Sequence, residues 1–303
     1  MAGTSSDLQP YPMTVVIATL GGDPLKGTIE ALNRGSTVPD EILVCIPGNE
    51  AHKVQNFSYR NVKVLVTDCR GQVAQRTIGF RNASHDVVMQ LDDDILVDEH
   101  CIEHLLKTLR MLGTEVAVAP SLMSLSTGES AYKKPERNKI ILKVYYWLMN
   151  GPAGYQPGKI DKSGSPVGID PKNANNDSSD VEWLAGACVM HYRKNLVLDN
   201  FYPFEGKAYY EDVIHSYHLK SKGISLKVVS GARCWLKPSS SSNYGPMEYL
   251  KHLASDYRAR KYSLRLYSRR SLRIYLFYLV SYLSYVFKKA SGLKTSSRNR
   301  KSK

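Results

Sequence analysis

Two clusters of acids carry the chemistry this sequence is able to do. The first closes the run Val87 to His100 (VVMQLDDDILVDEH), where an apolar stretch leads into Asp92, Asp93 and Asp94. In an extended segment alternate side chains face the same way, so Asp92 and Asp94 are expected on one face with Asp93 opposed. Two carboxylates at a strand end form a hard-oxygen site suited to Mg²⁺ or Mn²⁺, with phosphate oxygens and water completing the shell. The alternative is that the acids only end the strand and favour the start of the next helix, where Asp98 and Glu99 already serve. The second cluster is Glu211 and Asp212 in KAYYEDVIHSYHLK, at the start of a predicted helix. Taken alone, such a pair suits the helix dipole. Its interest depends on its company: WLAGA (Trp183 to Ala187) lies before it and a strand follows it. His215 and His218 on the same helix read as packing or surface residues.

The elements that must position these acids follow from hydrophobic periodicity. Thr14 to Leu20, Glu41 to Ile46, Asn61 to Val66, Asp86 to Leu91 and Glu115 to Ala119 read as strands. Helices are predicted over Pro24 to Arg34, Gly71 to Asn82 and, behind an Asp98 N-cap, Glu99 to Leu112. Strands alternating with helices at this spacing predict an α/β fold, a mostly parallel sheet covered on both faces. Asn150 to Asp180 is rich in Gly, Pro, Asn and Ser and reads as a functional loop. Val181 to Tyr192 is strand-like, Glu211 to Lys222 helical, Ser225 to Val229 a strand, and Lys237 to Gly245 flexible. Open sheets of this kind bind ligands outside the carboxyl ends of their strands, where the three aspartates fall.

Composition narrows the setting. The 303 residues are enough for a sizeable core, and the five cysteines never form a CxxC pair, so a disulfide framework or zinc site is not expected. The N-terminus lacks the pattern of a signal peptide, which predicts a cytoplasmic protein. Of the formal net charge of +13, the last 53 residues hold 15 Lys/Arg against one acid, leaving the remainder near neutral. An excess confined to one segment points to an anionic surface.

Taken together the pieces resemble family 2 glycosyltransferases, inverting enzymes of the GT-A fold. The matching stretches run in the family's order from Thr14 to Arg265: TVVIATLGG, EILVC, GQVAQRTIGFRNASHDVVMQLDDDILVDEHCIEHL, WLAGACVMHYRK, YYEDVIHSYHLKSKGISLKVV and YRARKYSLR. The resemblance implies that LDDDI is the DxD-type motif holding Mn²⁺ or Mg²⁺ and a nucleoside-diphosphate sugar. Asp94 and Asp92 would ligate the metal, Asp92 would also approach the ribose, and Asp93 would be a bystander or ribose contact. Thr19, Asp68 and Arg76 sit where the family contacts the nucleotide, and Gly186 and Ala187 lie near donor sugar and acceptor. Asp212 would be the base, supported by Glu211. Lys237 stands where the family often has a metal-binding His, and a lysine there contacts diphosphate as a point charge. The chemistry is consistent: a departing diphosphate needs positive charge, and the acceptor hydroxyl must give its proton to a carboxylate on the opposite side. One base on the attacking side implies inversion.

Near the C-terminus, Leu272, Leu276, Leu279, Val280 and Leu283 form one helical stripe and Tyr275, Tyr278, Tyr282 and Tyr285 another. The uncharged run Ile274 to Phe287 would extend roughly 21 Å as a helix, short of the ~30 Å hydrocarbon core. Flanked by Arg265, Arg269, Arg270, Arg273, Lys288 and Lys289, it predicts a helix lying in an anionic membrane interface. Packing on the catalytic domain or on a second subunit, giving a homo-oligomer, is the alternative. Basic and aromatic residues also suit nucleic acid, but no nucleic-acid motif accompanies them. The expected organisation is a disordered tail over 1–12, a glycosyltransferase domain over 13–240, a membrane-associating helical segment over 241–290 and a basic disordered tail over 291–303. The expected activity is sugar transfer to a lipid-linked or polysaccharide acceptor at the cytoplasmic membrane face. A nucleotidyltransferase would share the sheet and carboxylates but should carry a phosphate loop, of which TLGGDPLKG is a poor version. A non-catalytic membrane-binding module keeping the fold is the other alternative.

Overall fold

The computed structural model describes residues 11–54, 57, 59–133, 139–173, 176–237, 245–269 and 271–290. The tails and much of the Lys237 to Gly245 stretch, all predicted flexible, lie outside the described residues. In chain order the elements begin β1 (Met13–Ala18), α1 (Pro24–Arg34), β2 (Glu41–Pro47), β3 (Val62–Thr67), α2 (Gln72–Asn82) and β4 (Val87–Asp92). Next come β5 (Ile95–Val97), α3 (Cys101–Leu112), β6 (Val116–Ser124), α4 (Lys139–Asn150), β7 (Ser178–Asp180) and β8 (Cys188–Tyr192). The last are α5 (Glu211–Ser221), β9 (Ser225–Leu236), α6 (Pro246–Leu266) and α7 (Arg273–Ala290). The chain divides into two compact units, one of residues 1–134, 157–159 and 168–238, the other of 135–156, 160–167 and 239–303.

The first unit is built on one sheet in the order β3-β2-β1-β4-β8-β6-β9-β5, with β7 on β9. The pairs β2–β3, β1–β2, β1–β4 and β6–β9 are parallel, whereas β8 runs against both β4 and β6. The sheet is therefore mostly parallel, as the alternation of elements predicts. β1 (MTVVIA) and β2 (EILVCIP) are almost wholly buried because helices cover both faces, which is why they read as continuous apolar runs. From β1 the chain moves out to β2 on one side and later returns to β4 on the other. The carboxyl ends of β1 and β4 therefore flank a topological switch point, the natural crevice of such a sheet. Helix α2 presses close there: a Cβ on Gly79 would lie 2.4 Å from Val16 Cγ1 and 2.7 Å from Cys45 Sγ. Only glycine permits that approach, and it seats Arg76, one turn earlier, behind the switch point.

Three local expectations need correction. Helix α3 starts at Cys101 rather than Glu99, with His100 at its N-cap position and no side-chain cap. Asp98 instead accepts the Trp235 indole N–H at 3.4 Å and offers its carbonyl to the Cys101 N–H at 3.0 Å. Of the predicted strand Val181 to Tyr192, only β8 is extended in the sheet. The strand from Ser225 continues past a register shift opposite Pro120 and Ser121 to Leu236, because β5 pairs with its far end.

The second unit consists of α4, α6, α7 and a turn over 160–167. The sequence-based boundary at 240 leaves 135–156 and 160–167 with the sheet; their contacts group them with the C-terminal helices. Arg260 on α6 stacks 3.6 Å from the Phe277 ring of α7 and donates to Ser165 Oγ at 2.7 Å. Tyr249 and Tyr285 stack at 3.9 Å, and Arg273 of α7 donates to the Trp147 carbonyl of α4 at 2.8 Å. Among the described residues no helix is long and apolar enough to cross a membrane.

Candidate active site

The three aspartates do not lie on one extended strand. Asp92 ends β4, and Asp93 and Asp94 form the turn into β5. The alternation that pairs Asp92 with Asp94 therefore lapses after Asp92. Asp93 is tied into the site: its carboxylate accepts the Thr19 hydroxyl, and its carbonyl accepts Thr28 Oγ1 at 2.8 Å. Thr19 lies one residue past β1, and its own Oγ1 accepts the Gly21 N–H at 2.9 Å. Gln75 fixes the same corner, donating to the Thr19 and Cys45 carbonyls at 2.9 and 2.8 Å. Burial raises the Asp93 carboxyl against the Thr19 hydrogen bond that lowers it.

Arg76 joins the two acidic clusters. Its guanidinium donates to Asp92 Oδ1 through one terminal nitrogen and to Glu211 Oε1 through the other. Asp92 Oδ1 also accepts Gln72 Nε2 at 2.8 Å, and the Asp92 N–H donates to the Ala187 carbonyl at 2.9 Å. Gln90 Nε2 holds the Gly186 carbonyl at 2.8 Å. A Cβ on Gly186 would lie 2.7 Å from Glu211 Oε2 and 3.3 Å from Asp212 Cβ, so the segment before β8 passes directly over the acids that open α5. Tyr210, just before them, has φ 60°, a left-handed conformation costly for a side-chain-bearing residue and concentrated at functional sites. Burial, then the neighbouring Glu211 charge, pushes Asp212 up to about 7. Burial also raises Glu211, but its contact with Arg76 opposes that. Tyr132 packs edge-on to Trp183 at 5.9 Å, and its hydroxyl is pushed up by burial and by the charge of Asp212. The result is one buried ion-paired carboxylate and, next to it, one poised to exchange a proton near neutrality.

Asp94 faces solvent. Burial, Asp92 and Asp93 raise its carboxyl and Lys237 lowers it. The antiparallel register Ile95 to Leu236 accounts for that partner, setting Lys237 beside Asp94. Lys237 Nζ lies 3.3 Å from where a Cβ on Gly27 would be, at the first turns of α1. Among the described residues no three His, Cys, Asp or Glu side chains converge as a metal cage. A Mg²⁺-like ion does not need one, since it binds through one or two carboxylates plus substrate phosphates. Asp94, exposed and crowded by negative neighbours, fits that donor set. Asp92 offers only Oδ2, its Oδ1 being engaged by Arg76 and Gln72.

Residues 14–161 match the family model for glycosyl transferase family 2. This segment belongs to that family. Among solved structures, the chain resembles GalNAc-T7 in a crystal structure with UDP, GalNAc and Mn²⁺, at 17% identity and a TM-score of 0.56. The match covers 84% of this chain and 48% of that one, so the chain spans about half of GalNAc-T7. It also resembles S. aureus TarS 1–349 in complex with UDP-GlcNAc, at 10% identity over 87% of this chain and 68% of that one, with a TM-score of 0.53. At these identities the likeness establishes the fold, which is GT-A. No curated protein sequence is a significant match.

Within the first unit, the structure brings Thr19, Arg76, Asp92, Asp93, Gly186, Ala187, Glu211 and Asp212 together. Asp94 and Lys237 sit at its open edge. Asp68 stands apart: it follows β3, two strands or about 10 Å out from β1, and is exposed. Sequence reasoning missed Gln72, Gln75, Gln90, Thr28 and Tyr132. Its available signal was that α2 places Gln75 and Arg76 on a face that ought to be apolar; both are buried.

Proposed function

We propose that the chain is an inverting glycosyltransferase that moves a sugar from a nucleoside-diphosphate donor to a lipid-linked or polysaccharide acceptor at the cytoplasmic face of a membrane. The observation that supports it most is the near-neutral Asp212 carboxylate held beside the Arg76-bridged pair Glu211 and Asp92, at the switch point of a family 2 domain. The donor diphosphate lies along the turn after β4, with Thr19 and Asp93 ordering the nucleotide side and Lys237 supplying positive charge. The UDP found with GalNAc-T7 and the UDP-GlcNAc found with TarS favour a UDP-sugar donor. Asp94, with Asp92 Oδ2, would hold a Mn²⁺ or Mg²⁺ ion, which when bound neutralises diphosphate charge. Asp212 takes the proton from the acceptor hydroxyl as that oxygen bonds to the anomeric carbon and the bond to the diphosphate breaks on the opposite face. Arg76 keeps Glu211 ionised and fixed, and the Glu211 charge keeps Asp212 basic.

The membrane reading rests on the second unit. α7 exposes Leu279, Leu283 and Phe287, Leu272 just before it is exposed as well, and α4 exposes Ile140, Ile141, Val144 and Trp147. With the basic residues around them, these faces suit an anionic interface rather than a span. A panel of sugar nucleotides, scored for thermal stabilisation and for hydrolysis with Mn²⁺ or Mg²⁺, tests the donor reading. A response to one UDP-sugar is expected, and none to any nucleotide would favour a non-catalytic module.

A further inference from the structure

Between α6 and α7 lies an open cavity of about 810 Å³, within the size range of ligand sites. Lys261, Arg265 and Arg269 line it together with Tyr257 and Tyr275, and among the described residues no carboxylate does. Tyr257 donates to Tyr275 at 3.5 Å, and Lys261 Nζ stands 5.5 Å from the Tyr257 ring centre. Arg269 is pinned by donating to the Ile160 carbonyl at 2.6 Å, and the turn beneath it passes through Ser268 at φ 53°, so this wall is built rather than incidental. Three cations around an open space that also carries tyrosine and serine side chains are a receptor for phosphate.

The lip of the cavity decides which phosphate. Leu272, 80% exposed, and Tyr275 stand there, and the same face of α7 continues through Leu276, Leu279, Leu283 and Phe287. At 100° per residue these positions fall within one broad stripe, extending roughly 22 Å from Leu272 to Phe287. A soluble nucleotide or inorganic phosphate has no use for that stripe. A phosphate carrying long apolar chains would place its head among the cations and its chains along the helix. We propose that the cavity binds the phosphate head of an anionic membrane lipid whose chains lie along the exposed face of α7. The inference rests on the membrane-facing reading of this unit and adds to it a defined headgroup site.

The test is co-sedimentation of the full chain with vesicles of phosphatidylcholine alone or doped with phosphatidylglycerol. The double variant Lys261→Gln/Arg265→Gln removes two cavity cations, and Lys251→Gln/Arg258→Gln removes two from the same helix outside the cavity. At roughly 1.5 kcal/mol for each charge-assisted contact to the phosphate, the cavity variant should bind doped vesicles on the order of 100-fold more weakly than wild type. The control variant should lose only a few-fold, and neither should alter stabilisation of the catalytic unit by a nucleotide. Equal losses in both variants would indicate a diffuse field and overturn the headgroup site while leaving the membrane reading intact. Wild-type behaviour of the cavity variant would do the same, as would release of the wild type by soluble glycerol phosphate. Failure of the wild type to bind either vesicle would overturn the membrane reading and this inference together.

Discussion

Replacing Arg76 with Met keeps most of its stem and removes every donor, so the cost measures what the guanidinium does for the two carboxylates. The side chains of Arg76 and Glu211 are 4% and 6% exposed, whereas that of Asp92 is 26% exposed and retains Gln72. Glu211 therefore suffers most. Removing one partner of a buried pair costs about 3–5 kcal/mol. Neutralisation limits that: protonating a carboxyl of ordinary pKa about 4.3 costs about 4 kcal/mol at pH 7 but only about 1 kcal/mol at pH 5. Arg76→Met should thus lower the unfolding free energy by about 4 kcal/mol at pH 7 and by far less at pH 5. Adding Glu211→Gln should recover most of the loss at pH 7. Urea titrations of the three proteins at both pH values measure this. A loss below about 1 kcal/mol at pH 7, or one that does not shrink at pH 5, would refute the ion-pair reasoning.

Gly186→Ala places a methyl 2.7 Å from Glu211 Oε2, so transfer should fall at least 10-fold while the circular dichroism spectrum stays native; unchanged turnover would mean the loop does not sit over the acids. His191 is fully buried with both ring nitrogens unpartnered, and burial holds it down at about 4. Because the folded state resists a proton that the unfolded chain accepts at about 6.5, this group destabilises the fold as pH drops from about 6.5 to 4, by up to about 3 kcal/mol. His191→Phe should flatten the stability profile over that window, measured by urea titration at stepped pH; an unchanged profile would assign the acid sensitivity elsewhere.

Much of the first unit was legible because long apolar runs bounded by Gly and Pro have few other readings. β1, α1 and β2 appear within two residues of expectation for that reason. The acids were legible as types, not as a constellation. The LDDDI stretch looks extended, but the chain turns at Asp93 to let β5 pair with β9, a long-range demand that no local pattern carries. That turn hands Asp93 to Thr19 and sets Asp94 beside Lys237. Likewise the Arg76 bridge spans 135 residues to Glu211, and only the fold closes it. α4 went unread because its apolar face, KIILKVYYWLMN, leads into a loop-rich stretch and packs with helices far along the chain.

Asp212 is the proposed base. Its most direct test is the pH–rate profile of sugar transfer from a UDP-sugar, for wild type and Asp212→Asn. The wild type should gain activity as pH rises through about 7, where the carboxylate loses its proton. The variant should be slower by about 10²–10⁴ and lack that limb, while binding UDP as before. A variant that turns over at the wild-type rate, with the same rise near pH 7, would rule out Asp212 as the base.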